Sequence, residues 1–176
     1  MIPRKLSSEI AHKNPWYHVR HDKLEWPDGH QGEYFVVEGW TGCAVVVVQE
    51  GKLLTIKQYR YPIERMSCEI PMGRVNEGET IEQAAVRELI EEAGYQSDSL
   101  DKLGVIYPNC GVSNHAIHVF EASSVKLVGQ ALEKEEQGMV FEWMPLEEWG
   151  RQIEQNVIID ADSLAAWALY SKKHNL

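Results

Sequence analysis

The chain has 176 residues, 44% of them hydrophobic, enough to bury one ordinary core with a small accessory element but not two independent domains. A net charge of -10 and a pI near 5.2 exclude a general nucleic-acid surface, because phosphate backbones need basic stripes and no Lys/Arg cluster occurs. The longest apolar run, "CAVVVV", falls far short of the roughly 20 residues that span a bilayer, no apolar h-region follows "MIPRKLSSEI", and the scattered Cys43, Cys68 and Cys110 form neither a CxxC pair nor a disulfide framework. These features read as a cytoplasmic protein with reduced thiols and no membrane or nucleic-acid partner.

In chain order, "WYHVRHDKLEWPDGHQGEYFVVEG" alternates apolar and polar residues around Pro27-Asp28-Gly29, which predicts a hairpin. "TGCAVVVVQEGKLLTIKQYRY" follows, two β-rich runs separated by Glu50-Gly51. This predicts a second hairpin whose first strand is buried on both faces. Short strands are expected at 69–71, 103–107, 115–121 and 140–144, and helices at 81–93, 146–155 and 161–173, the last opened by Asp160 as N-cap. Strands interleaved with few helices, without regular βαβ spacing, favour an α+β fold or an α/β/α sandwich over a doubly wound sheet. No internal repeat, low-complexity tract or Pro/Gly/Ser linker interrupts the chain.

The segment from Gly73 to Tyr95 holds six carboxylates. Thr80 with Gln83 forms a capping-box pattern at its helix start, and Gly94 is placed to end it. Ile81, Ala85, Val86, Leu89, Ile90 and Ala93 recur at helical spacing and are expected to face the core. Glu88, Glu91 and Glu92 then stack on the opposite side, where like charges repel and Arg87 offsets part of the repulsion across one turn to Glu91. A run such as "RELIEE" is commonly a solvated face with ordinary ion pairs. The other reading is a cradle for a hard divalent cation, with Gly73 letting the backbone approach so that a nearby carbonyl points at the same ion. If the ligand of so acidic a chain is a phosphate, something cationic must mediate.

These residues resemble the box of the Nudix hydrolases, G-x5-E-x7-R-E-U-x-E-E-x-G-U with U apolar. Gly73, Glu79, Arg87, Glu88, Leu89, Glu91, Glu92 and Gly94 fall at the required spacings, with Tyr95 the one loose fit. The stretches "QYRYPIERMSCEIPMG", "YPNCGVSNHAIHVFEA" and "EKEE" are similar to the layout of the branch that cleaves ADP-ribose and other nucleoside diphosphate sugars. The resemblance implies a Nudix-type α/β/α sandwich with a mixed sheet over 41–176 and an N-terminal antiparallel hairpin subdomain over 1–40. It implies hydrolysis of a pyrophosphate bond with water and Mg2+, or Mn2+, bridging two anionic partners. By the same resemblance Glu88 and Glu92 are the main metal ligands, with Glu91 secondary and the Met72 carbonyl adding an oxygen. Glu79 and Arg87 brace loop and helix, and Gly73 and Gly94 are structural. The general base falls on Glu136, with Glu135 and Glu133 as alternatives; a solvated loop charge is the other reading.

Arg60 could pair with a phosphate or the terminal ribose, and Glu69 accept sugar hydroxyls, although each also serves as an ordinary strand residue. Trp16 and Tyr17 could stack on a nucleobase or anchor the hairpin as buried aromatics. His21, His115 and His118 receive no role. Where the ADP-ribose branch has Ser-Pro-Gly and a nearby Glu, this chain has "NCGVSNHA", which leaves substrate choice open between ADP-ribose and, for example, a GDP-hexose such as GDP-mannose. A non-catalytic nucleotide-sugar-binding module is a third possibility, against which the intact "RELIEE" argues. The resemblance also implies a homodimer built through the N-terminal hairpin, sometimes exchanged between protomers, which suits a segment too small to bury Trp16, Trp26 and Trp40 alone.

Overall fold

In the computed structural model of the chain, which describes residues 2–132, 134 and 137–176, two units separate. One comprises Met1–Thr41 with Tyr107–Ala116, the other Gly42–Ile106 with Ile117–Leu176.

The first unit is an antiparallel sheet of β1 (Arg4–Lys13), β2 (His18–Glu25) and β3 (Gln31–Glu38), in that order. Its expected hairpin is β2–β3. The turn closes through the Gly29 N–H donating to the Trp26 carbonyl at 2.8 Å, with Gly29 at φ 89°, a value glycine adopts without a Cβ penalty. Strand β1 is an addition to that hairpin: every residue in it is exposed, and it is held by backbone pairing with β2 through two register shifts. Segment 107–116 is stitched to β3. The Val37 N–H donates to the Val112 carbonyl at 2.9 Å, the Ser113 hydroxyl donates to the Val37 carbonyl at 2.8 Å, and the Tyr34 hydroxyl donates to the Gly111 carbonyl.

In the second unit the valine run decides the layering. Strand β4 (Gly42–Val46) is fully buried, and its side chains alternate between two cores. Cys43 and Val45 pack with Ala84, Ala85, Leu89 and Ala93 of α1 (Ile81–Ala93). Ala44 and Val46 pack with Trp149 of α2 (Leu146–Glu154) and with Ala166 and Tyr170 of α3 (Ala161–His174). Each buried valine contributes about 1.5–3 kcal/mol relative to exposure. One helix thus covers one face and two helices cover the other, as the α/β/α expectation required.

The second expected hairpin is shorter than the sequence suggests. Only β5 (Val48–Gln49) pairs with β6 (Lys52–Arg60) across Glu50-Gly51. Strand β4 instead runs parallel to β11 (Ile117–Glu121) and antiparallel to β8 (Met72–Arg74), with β10 (Asp101–Ile106) beyond β11. Strand β6 lies between β5 and β13 (Val140–Pro145) and also pairs with β7 (Arg65–Glu69). The strand expected at 69–71 is the link between the two sheets. Pro71 has no N–H for a ladder; its carbonyl accepts from the Val45 N–H at 2.9 Å, and the Ile70 N–H donates to the Ser163 hydroxyl at 2.9 Å. Two short strands not expected from sequence, β9 (Tyr95–Ser97) and β12 (Val125–Leu127), pair with each other. Among the described residues, no helix is long and apolar enough to cross a membrane.

Candidate active site

Helix α1 has the ends its sequence announces. The Gln83 N–H donates to the Thr80 hydroxyl at 3.2 Å, the Thr80 N–H donates to the Gln83 side chain at 2.9 Å, and Gly94 caps the far end at φ 72°. Its inward stripe differs from the expected one. Ala84, Ala85, Leu89 and Ala93 are buried, and with them Glu88 and Glu92, only 6% and 3% exposed. Val86 and Ile90, assigned to the core from periodicity, instead line an outward groove of about 560 Å3 with Ala131, rimmed by Arg87 and Glu91.

Burying two carboxylates is unfavourable unless each is hydrogen-bonded. Strand β8 and Arg87 supply the partners. The Met72 N–H donates to Glu92 at 2.8 Å, and Arg87 Nη1 donates to Glu88 at 2.8 Å. Gly73 passes so close to Glu88 that a Cβ there would run into its carboxylate, so this position needs glycine for space and not for a turn.

Arg87 also bonds Glu79 through Nε at 2.8 Å and Nη2 at 3.0 Å, Glu91 through Nη1 at 2.7 Å, and the Arg74 carbonyl through Nη2 at 2.7 Å. One guanidinium therefore ties three carboxylates to the loop, a use for which its planar fork is suited. Glu79, foremost, raises the pKa of Arg87, and Arg87 in turn holds the Glu79 carboxyl below the usual carboxylate range. Beneath Gly73, the Cys43 thiol lies 3.7 Å from the Gly73 carbonyl, and burial followed by the Glu88 charge pushes it up to about 12.

Arg60 and Glu69 meet each other: Nε donates to Glu69 at 2.8 Å, Nη2 contacts the second oxygen, and Gln58 donates to the same carboxylate at 3.1 Å. Glu69 is fully buried and Arg60 partly exposed. In the N-terminal unit, Trp16 and Tyr17 are 69% and 44% exposed, not buried anchors, on a turn where both N–H groups donate to the Asn14 side chain at 2.9 Å. Of the unassigned histidines, His21 stacks on Phe35, His115 packs edge-on against Trp40, and burial, then Lys102, lower the pKa of His118. Glu133, Glu135 and Glu136 lie outside the described residues.

Among the described residues, no three His, Cys, Asp or Glu side chains converge as a ready-made metal cage. A hard divalent ion such as magnesium does not require one, since it takes one or two carboxylates and completes its shell with waters and substrate oxygens. Glu88 and Glu92 against the Met72–Gly73 backbone, with Glu91 alongside on Arg87, form a donor set of that kind. The sequence offered no signal for the Met72 N–H as a partner of Glu92, because a backbone donor leaves no trace in residue identity.

Known proteins match both units. The profile of the NUDIX domain matches residues 40–167, and that of the nucleoside diphosphate sugar hydrolase N-terminal domain matches residues 4–37. An ADP-ribose pyrophosphatase of Bacillus subtilis (strain 168) is 33% identical over 147 residues, covering 82% of this chain and 80% of its own. An ADP-ribose pyrophosphatase of Mycobacterium tuberculosis (strain ATCC 25618 / H37Rv) is 29% identical over 163 residues, covering 91% and 79%. A solved structure described as an ADP compounds hydrolase superposes with a TM-score of 0.87 at 20% identity over 98% of this chain and 94% of its own, the same fold.

Proposed function

The chain belongs to the Nudix family as a pyrophosphate hydrolase of nucleotide or nucleotide-sugar substrates, and from that premise we propose that it cleaves ADP-ribose to nucleoside monophosphate and sugar phosphate. The observation that carries this reading is the pair of buried carboxylates, Glu88 and Glu92, closed against β8 and fixed through Met72 and Arg87. A cytoplasmic setting suits this substrate class.

Glu88, Glu92, Glu91 and the Met72 carbonyl would hold Mg2+ or Mn2+, which supplies charge neutralisation and polarisation at phosphorus. Everything else falls to the chain. Arg87 pins Glu88 and Glu91 in place, and Glu79 anchors Arg87 to the loop. Arg60, oriented by its ion pair with Glu69, presents its remaining N–H groups to a phosphate or ribose oxygen. A carboxylate of the acidic loop, Glu136 first and Glu135 or Glu133 otherwise, takes the proton of the attacking water as the bridging P–O bond breaks. Exposed Trp16 and Tyr17 offer faces for the nucleobase.

The N-terminal unit supports a homodimer. Tyr34 and Phe35 on β3 and Trp40 just after it are exposed in the single chain, and β1 lies at the edge of the sheet.

Release of nucleoside monophosphate from ADP-ribose should depend on Mg2+ or Mn2+. It should disappear in Glu92→Gln while the melting curve of the protein stays cooperative. A panel of nucleotide sugars in the same assay identifies the preferred one: faster turnover of a GDP-hexose overturns the ADP-ribose assignment, and nucleotide-sugar binding without turnover makes the protein a binding module.

A further inference from the structure

Gly94 caps helix α1, but the negative charge at that end meets no basic side chain in the helix's own last turn. Glu88, Glu91 and Glu92 crowd its C-terminal half, where the backbone dipole is negative, and its last turn carries no basic residue. The last carbonyls of a helix also lack intrahelical donors. Segment 128–131 supplies them. The Ala131 N–H donates to the Glu91 carbonyl at 3.2 Å, the Val128 and Gly129 N–H groups donate to the Gly94 carbonyl at 2.8 and 3.0 Å, and Gln130 Nε2 donates to the Glu92 carbonyl at 2.5 Å. The segment lies so near that a Cβ on Gly94 would sit 2.8 Å from the Gln130 nitrogen. Gln130 alone contributes through its side chain, and it does so at the residue whose carboxylate bonds the Met72 N–H.

We propose that Gln130 is a positioning residue for the metal-facing end of α1. Its amide fixes the Glu92 peptide and so aims the Glu92 carboxylate at β8. It also brings an electropositive N–H to a helix end that three carboxylates make strongly negative. A neutral amide suits the task, because a cationic side chain there would compete with a bound cation and an acidic one would meet a carbonyl. The inference rests on the metal-binding reading of Glu88 and Glu92 given above.

The test is Mn2+ binding by titration calorimetry and by electron paramagnetic resonance of the bound ion, alongside thermal melts. Gln130→Met keeps the side-chain length without the N–H donor, and Gln130→Ala is a second variant. Because Gln130 is exposed, neither leaves a core cavity. Both variants are expected to bind Mn2+ roughly tenfold more weakly than wild type, with an altered resonance spectrum. Leu127→Ala, truncating an exposed side chain nearby, is expected to keep the wild-type dissociation constant. Variants that melt lower yet bind Mn2+ as wild type does would make Gln130 merely structural and overturn the inference. A wild-type protein that takes up no Mn2+ would overturn the metal-binding reading itself, and the positioning role with it.

Discussion

Arg87 is the residue on which the candidate site closes, because its guanidinium bonds Glu79, Glu88 and Glu91 together. Gly73 is its counterpart on the strand side, an absent side chain that makes room for Glu88. Gly73→Ala is therefore expected to displace the Glu88 carboxylate and lower kcat by roughly tenfold to a hundredfold, as lost ligand orientation does. Steady-state kinetics beside a thermal melt checks this, and unchanged kcat in a folded variant would contradict it. The identities of these residues were legible from their spacing, whereas their orientation was not. Apolar periodicity pointed Val86 and Ile90 inward and the carboxylates outward. The opposite holds for Glu88 and Glu92, because the Met72 N–H and Arg87 satisfy carboxylates that the pattern alone assigns to solvent.

At the level of elements, the legible features were those with local chemistry. The capping box, Gly94 and Asp160 set helix boundaries within a residue of those observed. Strand partners were less visible, since β4 leaves its sequence neighbour to pair with β8 and β11, and β1 has no alternating apolar face to announce it. One inter-element tie carries a pH dependence. Glu121 ends β11 nearly buried, and Lys173 Nζ reaches it at 2.8 Å and His174 Nε2 at 2.9 Å from the end of α3. Burial alone would raise its pKa, but Lys173 and His174 outweigh burial and hold it below the usual carboxylate range. A lowered carboxyl pKa means stability that is present above the unfolded-state value and lost as pH falls through the folded one. Glu121→Gln is expected to melt below wild type at neutral pH, and the gap should close in acid. Melts across a pH series would show it, and a gap independent of pH would contradict this role for the ion pair.

For the molecule as a whole, the acidic balance sets the functional problem: a chain of net charge -10 whose substrates are themselves anionic. In the proposed homodimer a second copy would cover the exposed Tyr34, Phe35 and Trp40 of the N-terminal unit. Light scattering at micromolar concentration is expected to give the mass of a dimer, and a monomer there would contradict that assembly. Segment 107–116, stitched to β3 by Val37, Ser113 and Tyr34, bears on how the chain is made. During synthesis the first forty residues leave the ribosome long before their missing piece does. The sheet they form must wait for some seventy further residues to be translated before those hydrogen bonds can close, so nascent chains halted ahead of that point should present an N-terminus open to proteases.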